Sequence, residues 1–249
     1  MRGSDYHVVL RDMLHKLIDM LRERLQEPFE ARICVDTAPI LEREYAAAAG
    51  LGWIGKNTML MHQELGSYLF LGEIITTLDL VPDTPVADHC GTCTRCLKAC
   101  PTGAITEPHR LNASRCISYL TIEHRSALSA DLQRDMGWWI YGCDICQEVC
   151  PYNRRAPETT HAEFQSRRLP AELPLVELIR LRSGAYRRLV RGTAAARASR
   201  NMWRRNAVIA LRNASTLTPE EHQALDEARN DADPDVRQAA GGTEVESGQ

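Results

Sequence analysis

Apolar residues recur three and four positions apart through Leu10, Met13, Leu14, Leu17, Ile18, Leu21 and Leu25. That period marks an amphipathic helix over residues 6–27, ended by Pro28. The pattern then shortens. Arg32–Val35 reads as a strand, and Pro39–Ala49 as a helix with proline in its first turn and Gly50 closing it. Thr58–His62 and Tyr68–Thr77 read as two further strands with a turn at QELG between them. Residues 1–85 are therefore α/β in character, with too few strands for a closed sheet. Residues 86–156 show no sustained period and read as a loop-rich domain held by metal. Beyond Pro157 the texture is helical. WRRNAVIAL (203–211) and DVRQAA (235–240) align at a spacing of 32 residues, with Arg205 over Arg237 and Ala207 over Ala239. A helix pair of HEAT type has about that length. The pattern predicts an α+β protein of three parts, 1–85, 86–156 and 157–249, the last ending in a disordered GGTEVESGQ tail.

Composition changes this picture little. In 249 residues, 44% are hydrophobic and 25% charged, with a net charge of −3. No run approaches eighteen consecutive apolar residues, so no membrane span is expected. The N-terminus carries charges through its apolar positions, unlike a signal peptide. Nine cysteines, eight in metal-type spacing, suit a reducing cytoplasm better than a disulfide framework.

Those cysteines carry the chemistry. Cys90-x2-Cys93-x2-Cys96-x3-Cys100-Pro101 is the bacterial ferredoxin run, whose fourth cysteine ligates the other cluster in two-cluster proteins. Cys143-x2-Cys146-x3-Cys150-Pro151 repeats its last three cysteines, and Cys116 stands upstream for the missing first. The expected sets are Cys90, Cys93, Cys96 and Cys150 for one [4Fe–4S] cluster, and Cys100, Cys116, Cys143 and Cys146 for the other. Structural zinc is the alternative, but it gains nothing from a partly repeated run of this form. Cys34, in the apolar RICVD, reads as a buried inert thiol.

Charge is unevenly distributed. Ile179–Ser215 holds ten arginines and no lysine, aspartate or glutamate. A solvated helix face interleaves both signs, whereas like charges massed together call for a polyanion, and the guanidinium fork suits phosphate. The reading is nucleic acid, with Arg197, Arg200, Arg204 and Arg205 as contacts. Gly50-Leu-Gly52-Trp-Ile-Gly55 spells a dinucleotide fingerprint, but a helical run precedes it and a β-rich stretch follows, the reverse of what such a site requires. Asp36 ends a short strand before a helix, where a carboxylate either reaches a ligand crevice or caps the helix.

Several stretches together, RGSDYHVVL, VDTAPILERE, GLGWIGKNTML, GSYLFLGEIITT, CISYLTIEHR and GCDICQEVCPYNR, resemble the tRNA epoxyqueuosine reductases, cobalamin-dependent iron–sulfur enzymes of queuosine biosynthesis. The resemblance implies a nitroreductase-like cobalamin domain, here partial, then a two-cluster ferredoxin-like domain and a HEAT-like tRNA-binding domain. It implies reduction of epoxyqueuosine to queuosine at the tRNA wobble position. Electrons pass from a donor such as a flavodoxin or ferredoxin through two [4Fe–4S] clusters to cobalamin. Asp36 matches the proposed proton donor. Asn57, Ser67, Tyr68, Glu123, Cys150 and Pro151 match cobalamin-contacting positions, and the absence of a D-x-H-x-x-G motif agrees with base-off binding. The family carries a substantial segment before its RG-x-DYH motif, which here begins at Arg2. A shortened chain with weak or absent turnover is therefore expected. Two other classes remain: a ferredoxin-type electron carrier, and a non-catalytic redox sensor that binds nucleic acid.

Overall fold

The computed structural model describes residues 3–241. In chain order it contains α1 (Tyr6–Leu25), β1 (Ala31–Cys34), α2 (Glu42–Ala48), β2 (Trp53–Ile54), β3 (Leu60–Met61), β4 (Glu73–Thr76), α3 (Arg95–Ala99), β5 (Ile105–Glu107) and β6 (Arg110–Leu111). There follow α4 (Ile117–Ile122), α5 (Ala130–Asp135), α6 (Ile145–Glu148), α7 (Ala162–Gln165), α8 (Leu175–Ile179), α9 (Ser183–Val190), α10 (Arg200–Arg212), α11 (Pro219–Ala228) and α12 (Pro234–Ala239). These gather into two compact units. The first takes residues up to Ala99, Ile105–Leu111 and Ile145–Arg168; the second takes Cys100–Ala104, Asn112–Asp144 and residues from Leu169 on. Apart from Gly241, the expected disordered tail lies outside the described residues.

In the first unit, Asp5 caps α1 by accepting from the His7 amide at 3.0 Å, and left-handed Gln26 (φ 51°) ends the helix. The helix buries Val9 and Ile18 and packs on β1, while Leu17 and Leu25 of the predicted stripe stand exposed. β1 pairs antiparallel with β4, from Ala31 opposite Thr76 to Cys34 opposite Glu73. The two strands expected on either side of QELG are shorter than predicted and do not pair with each other. β3 pairs instead with β2, Trp53 opposite Met61, and a lone His62–Gly66 bridge closes the turn. Gly52 makes that pairing possible, because a Cβ there would lie 2.2 Å from the Met61 carbonyl oxygen. The false dinucleotide motif is thus a strand approach, and Gly50, at φ 71°, lies just past α2. α2 begins three residues after Pro39, because Thr37 and Ile40 donate to carbonyls only two residues back.

The second unit is helical around α10. Trp203, Ala207, Val208, Ile209 and Leu211 are buried there with Leu178, Ile179, Leu225 and Val236 of α8, α11 and α12. Covering these side chains contributes about 1.5–3 kcal/mol for each large one. The two segments of the 32-residue repeat fall on α10 and α12, which pack together. A capping box between Thr218 and Glu221, with Pro219 at the first turn, starts the intervening α11.

Candidate functional site

Asp36 leaves β1 in the left-handed region, at φ 54°. Holding an aspartate there costs about 1–3 kcal/mol, and such strain clusters at functional positions. Asp36 does not cap α2, whose N-cap is Leu41. Instead, its amide donates to Glu42 Oε1 at 2.5 Å. Its carboxylate faces a cleft of about 430 Å³ with Tyr6, Leu41, Glu42, Leu69 and Phe70 in the wall. Asp36 Oδ2 lies 3.1 Å from His7 Nε2, and His7 Nδ1–H donates to Asp5 Oδ1 at 2.7 Å. Tyr6 stacks on both His7 and Phe70, fixing the imidazole plane.

Two further carboxyls of this unit, Glu42 in the cleft wall and Glu73 on β4, carried no distinct signal in the sequence. Glu73 is half-buried opposite Cys34, its Oε2 covered and without a hydrogen-bond partner. Burial, and then the neighbouring charge of Glu42, push its pKa up to about 7. Glu42 itself was visible only as part of VDTAPILERE. Neither could have been separated from ordinary surface glutamates without the strand register.

A second cavity, of about 250 Å³, is lined by Cys90, Cys93, Cys96 and Cys150 together with Asn57 and Pro151. These are the four cysteines expected to share one cluster. Among the described residues no three His, Cys, Asp or Glu side chains gather as for a single ion; the thiols stand around a space instead. α3, carrying Cys96, packs against α6, which carries Cys146, so the two copies of the motif lie side by side. Burial is the main cause raising the thiols of Cys96 and Cys150, with neighbouring thiols adding to it. Lys56, a polar residue beside a glycine turn in the sequence, donates from Nζ to the carbonyls of Gly91 at 2.6 Å and Cys93 at 3.1 Å. It pins the cluster loop and sets a positive charge beside the thiols.

One strand divides the two cavities. Leu60 lines the cleft and Met61 lines the thiol cavity, because successive strand residues point to opposite sides. Ser67, on the cleft side, donates from Oγ to Gln147 Oε1 at 2.8 Å and accepts from Asn153 Nδ2 at 2.9 Å. Asn57 donates to the Cys146 carbonyl and accepts from the Met59 amide. Both are buried, and their polar atoms fasten the cleft wall to the cysteine segment. Tyr68 stands half-exposed beside Ser67, and Cys34 is buried at the end of β1.

Of the other four cysteines, Cys100, Cys116 and Cys143 belong to the second unit and Cys146 to the first. Cys100 Sγ accepts from the Ala104 amide at 3.3 Å, and Cys116 is the N-cap of α4. Glu123 ends α4 and is ion-paired with Arg197.

The arginine block divides sharply. Arg205 is 1% exposed and donates to the carbonyls of Leu120, His124 and Ser126. It cannot meet a phosphate, and its place among the expected nucleic-acid contacts is corrected: its charge was legible but its burial was not. Arg204 is held by Asp231 and the Ile179 carbonyl, and Arg200 donates to the Leu181 carbonyl. Arg182, Arg187, Arg188 and Arg191, on and flanking α9, are exposed and face no acidic partner among the described residues.

Comparison with known proteins agrees with this geometry. Residues 89–153 match the family described as 4Fe-4S double cluster binding domain, and residues 1–37 match "Epoxyqueuosine reductase QueG, DUF1730". The epoxyqueuosine reductase of Xanthomonas campestris pv. campestris is 43% identical over 239 residues, 96% of this chain and 67% of the relative. The chain belongs to the epoxyqueuosine reductase family. The Escherichia coli K12 reductase is 44% identical over 213 residues, 85% of this chain and 56% of the relative. A crystal structure of an epoxyqueuosine reductase with an epoxyqueuosine-modified tRNA-Tyr stem loop superposes with a TM-score of 0.88 at 35% identity, covering 96% of this chain and 63% of that one. The reductase from Bacillus subtilis, described with an aspartate-bearing catalytic loop swung out of its active site, gives a TM-score of 0.85 at 34% identity and the same coverage. The chain thus spans between just over half and two thirds of these epoxyqueuosine reductases.

Proposed function

We propose that the protein reduces epoxyqueuosine to queuosine in tRNA, with Asp36 as proton donor. The reaction consumes two electrons and two protons, breaks both epoxide C–O bonds and releases the oxygen as water. The observation that carries this reading is the single strand between the Asp36 cleft and the four-thiol cavity, with Ser67 tying one wall to the other. A group that delivers electrons and a group that delivers a proton are thereby held in fixed relation.

The cysteines fit two [4Fe–4S] clusters, one on Cys90, Cys93, Cys96 and Cys150, the other on Cys100, Cys116, Cys143 and Cys146. Four thiols around one cavity support the first set. The cleft suits a flat macrocycle with polar edges: Leu41 and Phe70 offer exposed apolar surface at its wall, and Asp36 a carboxylate. In this reading Asp36 and Ser67, with Tyr68 beside them, would hold cobalamin in the cleft, while Asn57, Cys150 and Pro151 line the cluster cavity behind the wall, which Asn57 and Ser67 make rigid. Cobalamin held there would supply the two electrons that the epoxide takes up. Asp36 holds a proton toward the departing oxygen, and the apolar wall excludes competing water. The exposed arginines around α9, with Arg197, attract the phosphates of the anticodon stem. The relative solved with a modified tRNA stem loop supports that partner. Nine cysteines without a disulfide suit the reducing cytoplasm, where a flavodoxin or ferredoxin would supply electrons. In functional terms residues 1–85 serve cobalamin, 86–156 the clusters and 157–249 the tRNA.

The test is anaerobic incubation of the cluster-loaded protein with cobalamin, a reductant and epoxyqueuosine-containing tRNA, at excess protein. A cobalamin spectrum altered by the protein and queuosine in the nucleoside chromatogram are expected. An unaltered spectrum with no nucleoside change would favour an electron carrier; tRNA binding alone would favour a redox sensor.

A further inference from the structure

We propose that His7, held by Asp5, is the positioning residue that orients Asp36 and returns a proton to it after each turnover. The inference rests on the reading of Asp36 as proton donor and extends it to residues that no comparison assigns.

The geometry is a line of three side chains in the first unit. Asp5 Oδ1 accepts from His7 Nδ1–H at 2.7 Å, and His7 Nε2 stands 3.1 Å from Asp36 Oδ2. Because Asp5 also caps α1 through the His7 amide, its carboxylate is anchored at the helix start and sets the ring's tautomer. With Nδ1 donating to Asp5, Nε2 either accepts from a protonated Asp36 or, as imidazolium, donates to an ionised one. One proton therefore lies between Nε2 and Oδ2 in both forms. The stacked Tyr6 ring keeps His7 from rotating away. The left-handed backbone at Asp36 turns its carboxylate toward this ring and the cleft, not toward the N-terminus of α2.

A donor that gives up its proton must be recharged before the next turnover. Once Asp36 has released its proton to the epoxide oxygen, it stands as a carboxylate beside neutral His7. A proton from solvent, to which His7 is partly open, then binds Nε2; that Nε2–H bond breaks as the Oδ2–H bond forms, leaving neutral His7 hydrogen-bonded to Asp5. No electrons move in this step.

The two roles can be separated by comparing His7→Ala with Asp36→Asn in the cluster-loaded protein, with turnover read as queuosine formed. His7→Ala is expected to lower turnover about tenfold to a hundredfold, within the usual reach of general acid–base catalysis. Added imidazole should restore it in His7→Ala and leave Asp36→Asn unaffected. Independently of activity, histidine-labelled protein should show the His7 Nε2 resonance shifted by Asp36→Asn and the Nδ1 resonance shifted by Asp5→Asn. Full turnover in His7→Ala, or a loss that imidazole does not relieve with the Nε2 resonance indifferent to Asp36→Asn, would overturn the relay. Full turnover in Asp36→Asn would instead overturn the underlying assignment of the proton donor.

Discussion

At the scale of single residues, the first unit places three carboxyls, after β1, at the start of α2 and on β4, in contrasting surroundings. Asp36 is open to the cleft and hydrogen-bonded; Glu42 holds its amide; Glu73 is half-buried with one oxygen unpartnered. Glu73 has a testable signature. Its pKa is raised to about 7 in the fold, against about 4.5 in the unfolded chain, so the folded state keeps a proton that the unfolded state loses. Its stabilising contribution is complete below about pH 4.5 and is lost as pH rises through 7. Glu73→Gln should therefore remove part of the fall in thermal midpoint between pH 5 and 8 and make the protein more stable at pH 8. Equal pH profiles for the two proteins would show that Glu73 ionises freely. None of this was legible in the sequence, because a glutamate in a predicted strand gives no sign of which face it occupies until the register is known.

At the scale of elements, composition showed the arginine block but not which of its helices turn their arginines outward. Ten arginines between Ile179 and Ser215 were plain to read, but α10 is the centre of its unit, and its arginines face inward to carbonyls and acids. Burial pulls the Arg205 guanidinium below its ordinary pKa, against the opposing pull of Asp235 and Asp233. Arg205→Lys, which cannot span the same three carbonyls, should destabilise the protein by about 3 kcal/mol in urea unfolding. It should leave the salt dependence of tRNA binding unchanged. Replacing Arg187, Arg188 and Arg191 by alanine should do the opposite, flattening the slope of log K against log salt by up to about 0.9 for each phosphate no longer neutralised. An unaltered slope in the triple variant would move the tRNA surface away from α9. The hydrophobic periods were more faithful guides than the charges: α1 and the repeat on α10 and α12 lie where the sequence put them, since they depend only on local spacing. Strand pairing did not, because β2, two residues long, carries no readable alternation and β1, the partner of β4, lies some forty residues away in the chain.

For the molecule as a whole, the cysteine spacing anticipated a cavity that only long-range folding could build: Cys150 joins Cys90, Cys93 and Cys96 across more than fifty residues. What spacing could not convey was the wall between the thiol cavity and the Asp36 cleft, made by Leu60, Met61, Ser67 and their partners Gln147 and Asn153. Cys150→Ala should accordingly cost about half of the roughly eight irons that two [4Fe–4S] clusters hold. Cys34→Ala, at the end of β1, should keep them all. Loss of half the iron on changing Cys34 would displace the ligand assignment.

The central claim joins those clusters to Asp36 in one reaction, and Asp36→Asn tests it most directly. The amide keeps the volume of the side chain but has no proton to give. Cluster-loaded Asp36→Asn and unaltered protein should be compared at excess protein, with cobalamin, reductant and epoxyqueuosine tRNA, by chromatography of the digested nucleosides. Iron content and tRNA affinity should match, and queuosine formation should fall by roughly a hundredfold or more. Queuosine formed by Asp36→Asn at close to the unaltered rate would contradict the account and leave that residue without a part in the chemistry.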